Sequence, residues 1–156
     1  MENPIRLIRR TANSRSFHTL DIRIFSHPWS YPNWEGAFST PASANYFIIH
    51  GKKIMGMITS RIMENGRHEP SHAELDKIGI LPSFRNRGLG RLAMEAFHQI
   101  LKNRNIQWVY LEVSSRNLPA VALYRKVGYE IYRERKKYYP DGSNALCMKK
   151  TIQNIV

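Results

Sequence analysis

The 156-residue sequence contains one cysteine, Cys147. A lone thiol cannot close an internal disulfide, which excludes a disulfide-stapled secreted scaffold and fits a reducing cytoplasm. No apolar run approaches the roughly 18 residues of a spanning helix, so a membrane segment is excluded. The start "MENPIRLIRR" is basic but has no apolar stretch behind it, and does not read as a signal peptide. Repeats and low-complexity tracts are missing as well. So are two glycine signatures, GxGxxG and a Walker-type loop ending in GKS or GKT, which leaves a nicotinamide or nucleoside-triphosphate site unsupported. The six histidines are scattered without ligand spacing to acidic or cysteine partners, so no metal site is expected. Acidic residues are scarce: 12 Asp plus Glu face 24 Lys plus Arg, a formal charge of +12. Such a surface attracts nucleic acid, the ribosome, anionic membrane or phosphate-rich small molecules, without choosing among them.

What is present suits one globular domain over residues 1–156. Hydrophobic residues make up 42% and charged residues 23%, and the length allows a real core. "RTANSRSFHTLDIRIF" opens as a helix with Leu20 and Ile24 on its apolar face, and "HPWSYPNW" then breaks regular structure at Pro28 and Pro32. Tyr46–His50 and Ile54–Ile62 read as adjacent antiparallel strands. "ENGRHEPSH" is a polar turn, and "AELDKIGI" a third strand whose faulty alternation predicts a bulge near Lys77 or Ile78. Leu89, Leu92, Ala93, Ala96, Phe97, Ile100 and Leu101 recur at helical spacing and would cover a sheet. "WVYLEV" is a buried strand, and "LPAVALYRKV" a short helix closed by Gly128. "YEIYRERKKYY" and "ALCMKK" alternate as strands around the turn "PDGSN". The pattern is that of a mixed α/β domain.

At the strand-to-helix junction stands "RNRGLG", Arg85 to Gly90. The first amides of a helix have no internal partner and point outward. Amides from Asn86 to Gly90 are therefore placed to cradle a pyrophosphate, with Arg85, Arg87 and Arg91 adding positive charge. A solvated turn that needs glycine for its geometry alone is the competing reading.

Arg85, Gly88 and Gly90, set between a strand and an amphipathic helix, match the hallmark of the GCN5-related N-acetyltransferase family, which the chain resembles over nearly its whole length. The stretch "LEVSSRNLPAVALYRKVGYEIYRERKKYY" is similar to the branch that acetylates protein N-termini, the ribosomal-protein alanine acetyltransferases in particular. This resemblance implies an α/β fold with a mixed central sheet, helices on both faces and a splayed or bulged central strand. It also implies acetyl-CoA as cosubstrate, bound by Arg85, Asn86, Arg87, Gly88, Leu89, Gly90 and Arg91, with no metal. The implied partner is a protein N-terminus, that of a ribosomal protein included, in the cytoplasm and close to ribosome or rRNA; a membrane is not. Three positions depart from the pattern: Gly79 stands where a bulkier β-former is common, Arg116 precedes Asn117, and Pro119 opens the short helix.

The residues themselves admit two readings at each position. Glu112 lies in an apolar strand, where a carboxylate is costly unless solvated or paired. It is either a paired charge on an open sheet face or, as the resemblance implies, the base and substrate-amine anchor. Tyr124 has the spacing of a core aromatic; the resemblance makes it the proton donor to the coenzyme sulfur and part of the cofactor site. Asn117 suits a helix cap and, by resemblance, a contact to the pantetheine arm. Backbone groups of Ile78, Gly79 and Ile80 would anchor the thioester oxygen or the coenzyme arm, since a bulged strand frees amides. Tyr138 and Tyr139 read as exposed hairpin aromatics; the resemblance instead makes them, with Trp29 and Tyr31, walls of a peptide groove. Acetylation of lysine or a small amine, and an RNA-binding module with a degenerate cofactor loop, are the rival functions; no RNP-like or KH-type motif supports the latter.

Overall fold

The computed structural model describes residues 4–65 and 69–153; the polar turn expected across Glu64–His72 includes residues 66–68, outside that range. The elements run β1 (Ile5–Arg10), α1 (Ser14–Ile24), α2 (Tyr31–Ser39), β2 (Ser43–His50), β3 (Lys53–Met63), β4 (His72–Ile80), α3 (Leu89–Asn103), β5 (Trp108–Ser114), α4 (Leu118–Lys126), β6 (Glu130–Arg135) and β7 (Ala145–Thr151). The strands form a mixed seven-stranded sheet in the order β1-β2-β3-β4-β5-β7-β6, with β4 and β5 parallel. The chain packs as two compact units, one from Met1–Ile62 with Asp76–Phe97, the other from Met63–Leu75 with His98–Val156.

In the first unit β2 is buried from Ala44 through Ile49, which requires cover on both faces. Side chains alternate along a strand. Phe47 and Ile49 pack with Phe17, Leu20 and Ile24 of α1 and Trp34 of α2. Tyr46, on the other face, meets Phe97 of α3 with ring centroids 6.2 Å apart. Helices thus cover both faces, as expected. Phe17 is fully buried and stacks on Phe47 at 4.6 Å; burial of one such ring stabilises by about 1.5–3 kcal/mol.

Two elements depart from the reading of the sequence. "HPWSYPNW" does not end regular structure, because α2 begins inside it. Ser30 caps that helix by accepting a hydrogen bond from the Asn33 amide at 3.3 Å, and Pro32 sits in the first turn. A proline there loses no helical hydrogen bond and starts the helix instead of breaking it. The strand β1 was not anticipated. Only Ile5 of its six residues is buried, and its existence rests on antiparallel pairing with β2 from Ile5↔His50 to Arg10↔Asn45.

Asp76 pairs with Arg61, which lies on the strand face that carries Met57 and Thr59. Lys77 pairs with Asp21 of α1, over that same face. Asp76 and Lys77 stand where a bulge in β4 is expected, and each carries its charge into an ion pair. Gly79 follows, and its missing side chain leaves room for α1 and the residue after it. A Cβ at Gly79 would run into Ile24 Cγ2 and come within 2.7 Å of Phe25 Cζ. A Cβ at Gly56 would strike the Gly79 carbonyl. The bulkier residue common at this place does not fit beneath α1.

In the second unit β5 pairs with β4 over His72–Leu75 and with β7 along its whole length. Val109, Leu111 and Val113 face the core, while Trp108, Tyr110 and Glu112 face outward. Helix α4 buries Tyr124, and Val127 and Tyr129 follow it into the core. β6 is an edge strand that ends at Arg135. Tyr138 and Tyr139 therefore lie in the loop 136–144 and not in the hairpin strand expected of "YEIYRERKKYY". Both their amides donate to the Ser143 carbonyl, at 3.0 and 3.1 Å, and this local bonding replaces the ladder. Among the described residues no helix is long and apolar enough to cross a membrane.

Candidate active site

The glycine loop begins after a 3-10 turn at Pro82–Phe84. Asn86 (φ 62) and Gly88 (φ 72) both take left-handed backbone, which turns the chain into α3. A side chain at Gly88 would meet nothing within 4 Å, so its glycine serves the backbone angle and leaves the loop open. The first bond of α3 runs from the Leu92 amide to the Gly88 carbonyl at 3.2 Å. Among the described residues the amides from Asn86 through Arg91 donate to no protein acceptor. Six unpartnered donors on a bend at a helix start suit a pyrophosphate.

The arginines divide their work. Arg85 turns inward, donating from Nε to the Ile80 carbonyl at 3.0 Å and from a terminal nitrogen to the Ile24 carbonyl at 2.8 Å. It ties the loop to the ends of β4 and α1, and satisfies a carbonyl that α1 leaves free. Arg87 lies over the Phe84 ring at 5.9 Å, and Arg91 pairs with Glu95 at 3.0 Å. All three keep positive charge near the amides; Arg87 and Arg91 do so from the surface. Ile78, Gly79 and Ile80 form the end of β4 just before this loop.

A buried ion pair, not anticipated from sequence, positions Trp29. Asp21 is fully buried. Its Oδ2 accepts the Trp29 amide at 2.8 Å and the Trp34 indole N–H at 2.9 Å, and its Oδ1 accepts Lys77 Nζ at 2.7 Å. Lys77 Nζ also sits over the rings of Phe25 (4.6 Å) and Trp29 (4.9 Å). Burial pulls the Lys77 ammonium below its ordinary range while Asp21 opposes that shift. One signal for Asp21 existed, since a carboxylate at the core-facing spacing of Phe17, Leu20 and Ile24 requires a partner. Tyr31 lies at the start of α2 against His18 (5.7 Å) and the Arg15 guanidinium (5.8 Å). Replacing Asp21 with asparagine is expected to lower stability by about 3 kcal/mol, because a buried cation loses its counter-charge. Denaturant unfolding measures it, and a loss below about 1 kcal/mol would contradict the role assigned to the pair.

In the second unit Tyr124 is buried, and burial, reinforced by Tyr139, pushes its hydroxyl up to about 12. That hydroxyl makes no hydrogen bond to another described residue. The Tyr129 ring packs edge-on against Tyr124 at 5.8 Å, and the Tyr129 hydroxyl meets His98 Nε2 at 2.9 Å. Burial, with Lys150 adding charge repulsion, pushes His98 down to about 4; it is a neutral support at pH 7. Asn117 caps α4, accepting the Ala120 amide on its side-chain oxygen at 3.3 Å. Its amide nitrogen is left for another partner, so capping and ligand contact do not compete. Pro119 occupies the first turn.

Glu112 projects from the outward face of β5 and is exposed. Arg135 Nε approaches its Oε1 at 3.1 Å, and the Cys147 thiol donates to the same oxygen at 3.6 Å. It is thus the paired charge that an apolar strand requires, and also a carboxylate open to solvent. Tyr139 stands nearby: burial first, and the Glu112 charge second, push its hydroxyl up to about 12. Tyr138 meets Tyr139 edge-on at 5.2 Å, under the Arg135 guanidinium at 5.6 Å. Glu112, Tyr138 and Tyr139 are therefore gathered in one unit, with Arg135 as a member that sequence reasoning missed.

The chain as a whole is similar to known proteins. Residues 10–129 match the model of the acetyltransferase (GNAT) family. An N-alpha-acetyltransferase of Saccharolobus solfataricus is 31% identical over 116 residues, 70% of each chain. The ribosomal protein bS18-alanine N-acetyltransferase of Escherichia coli is 28% identical over 142 residues, 88% of each chain. The crystal structure of the ribosomal-protein-S18-alanine N-acetyltransferase from Escherichia coli superimposes with a TM-score of 0.84 at 24% identity, covering 97% of this chain and 95% of that one. With six unpartnered amides at the start of α3 and a family match over most of its length, this chain belongs to the GNAT acetyltransferases and uses acetyl-CoA as its acyl donor.

Proposed function

We propose that this chain acetylates the N-terminal α-amine of a protein, a ribosomal protein foremost, in the cytoplasm, and that residues 1–156 act as one catalytic domain. The observation that carries this reading is a pair of opposite chemistries in the second unit. Glu112 is an exposed carboxylate able to accept a proton, and Tyr124 is a buried phenol that holds one. The relatives named as N-terminal acetyltransferases support the choice of amine.

Bound acetyl-CoA supplies an acyl thioester. The amides of Asn86–Arg91 hold its pyrophosphate, Asn117 steadies the pantetheine arm, and the Ile78–Ile80 backbone orients the thioester. Glu112 removes a proton from the incoming ammonium, directly or through one water. As the nitrogen–carbon bond forms and the carbon–sulfur bond breaks, Tyr124 gives its proton to the departing thiolate, and the second proton that the nitrogen sheds on becoming an amide restores the phenol through water. Trp29, Tyr31, Tyr138 and Tyr139 wall the substrate terminus. The +12 balance speeds encounter with targets near rRNA through long-range attraction.

A panel of short peptides tests the reading: free termini beginning Ala, Ser, Met or Gly, each beside an N-terminally blocked copy containing lysine. Free termini are expected to react and blocked lysine peptides to remain unmodified. Transfer to blocked lysine peptides alone would overturn the proposal in favour of a lysine acetyltransferase.

A further inference from the structure

The edge strand β6 is irregular beside the exposed carboxylate of β5. Its register with β7 runs Glu130↔Lys149, Ile131↔Met148 and then Arg133↔Cys147, so Tyr132 is an extra residue. Two residues opposing one on the partner strand make a β-bulge. The extra residue is itself seated: its ring meets Tyr110 edge-on at 5.9 Å and carries Lys149 Nζ at 5.8 Å.

The bulge changes which face the end of β6 presents. Glu112 opposes Cys147 and Ser114 opposes Ala145 across β5 and β7. Directly opposed residues in a sheet share a face. Arg133, opposite Cys147, and Arg135, opposite Ala145, are thereby placed on the face of Glu112. Without the extra residue, Tyr132 would oppose Cys147 and Glu134 would oppose Ala145. A slip of one residue sends each later side chain to the other face. Arg135 would then share the face of Val113 and Leu146, away from Glu112. The bulge aims a cation at this carboxylate.

The contacts on Glu112 are one-sided. Arg135 Nε lies 3.1 Å from Oε1, and the Cys147 thiol donates to the same oxygen at 3.6 Å. Oε2 accepts no hydrogen bond from a described residue. Stability does not account for this arrangement. Both Arg135 and Glu112 are more than a third exposed, and exposed ion pairs contribute little to stability. Chemistry does account for it. A free glutamate samples several rotamers, whereas a general base acts from one position within hydrogen-bond reach of its proton.

We propose that Arg135, aimed by the bulge at Tyr132, is a positioning residue for the base. It fixes Oε1 of Glu112 and leaves Oε2 to take the proton from the substrate amine. The inference rests on the reading of Glu112 as that base.

Steady-state kinetics with a free-terminus peptide provide the test. Arg135→Met, which keeps the stem without the charge, is expected to lower kcat about tenfold, part of the roughly hundredfold that a 1 Å misplacement costs. Arg135→Gln, polar but uncharged, should fall with it. Arg135→Lys, which keeps the cation, should recover kcat to within about threefold of wild type. The KM values for peptide and acetyl-CoA should stay within about twofold in all three. The Arg135 guanidinium also lies 5.6 Å from the Tyr138 ring centroid, which offers a second route to the substrate. A double-mutant cycle separates the two. With Glu112→Gln already in place, Arg135→Met should change kcat by no more than about twofold, because no base remains to be held. An unchanged kcat in Arg135→Met and Arg135→Gln, an equal loss with and without the Glu112 carboxylate, or a loss confined to peptide KM would overturn the positioning role. Each of these outcomes leaves Glu112 as the base, provided Glu112→Gln alone is slow. A Glu112→Gln variant as fast as wild type would instead refute the parent reading, and the positioning role with it.

Discussion

Replacing Tyr124 with phenylalanine is expected to lower kcat by about 10²- to 10⁴-fold, the range of a positioned general acid. The expectation rests on the state of the phenol. Burial holds its hydroxyl up to about 12, so it remains protonated across the working range and ready to donate. Its proton is then available to the thiolate as the carbon–sulfur bond breaks. The hydroxyl makes no hydrogen bond to another described residue, so its removal should leave stability nearly unchanged. Ring packing against Tyr129 persists in the phenylalanine variant. Calorimetric titration with acetyl-CoA should then give wild-type affinity, while single-turnover acetyl transfer slows. An unchanged single-turnover rate would return Tyr124 to a purely structural role. Because Tyr124 titrates near 12 and His98 near 4, neither should contribute a limb to the pH–rate profile between about pH 6 and 10.

Glu112→Gln is expected to slow turnover at least about tenfold at pH 7 and to shift the profile toward alkali. A peptide α-amine has a reference pKa near 8, so about a tenth is neutral at pH 7. Without the carboxylate, only that neutral fraction reacts, and the deficit shrinks as pH rises past about 8. A rate and profile equal to wild type would remove Glu112 from the base role, even with α-amine acetylation confirmed. The glutamine variant also loses the ion pair to Arg135. That pair is more than a third exposed on both sides, so its loss should cost under about 1 kcal/mol. Stability therefore separates the two roles: a large loss of activity with a small change in the unfolding midpoint points to chemistry. Arg135→Lys, which keeps the charge but not the planar fork, should leave the alkaline shift absent.

Helix α3, with its regular apolar stripe, was legible because each turn repeats the same requirement. The loop before it was legible because Gly88 must supply left-handed backbone, a need that a local sequence announces. The mixed α/β class, the strands β2 to β5 and the capping role of Asn117 are of the same local kind. Tyr124 stood out through its place in a motif, although periodicity alone made it a core aromatic, and the structure buries it.

What only the tertiary structure decided was every feature set by partners distant in sequence. β1 exists because β2 offers it a ladder; its own residues, mostly exposed and basic, carry little strand signal. Pro32 starts a helix because Ser30 and the core around Trp34 hold that helix in place. Gly79 is required by Ile24 and Phe25 above it, and Arg85, expected to face phosphate, spends its donors on the ends of α1 and β4. Asp21 and Lys77, 56 residues apart, find each other only when α1 lies across the sheet. Glu112 and Cys147 are neighbours through strand register and Arg135 reaches the same oxygen from the adjoining strand. Local propensity and spacing act over a few residues and can be read along the chain. Register, close approach and the pairing of buried charge depend on which segments the fold brings together, and no single segment encodes its partner.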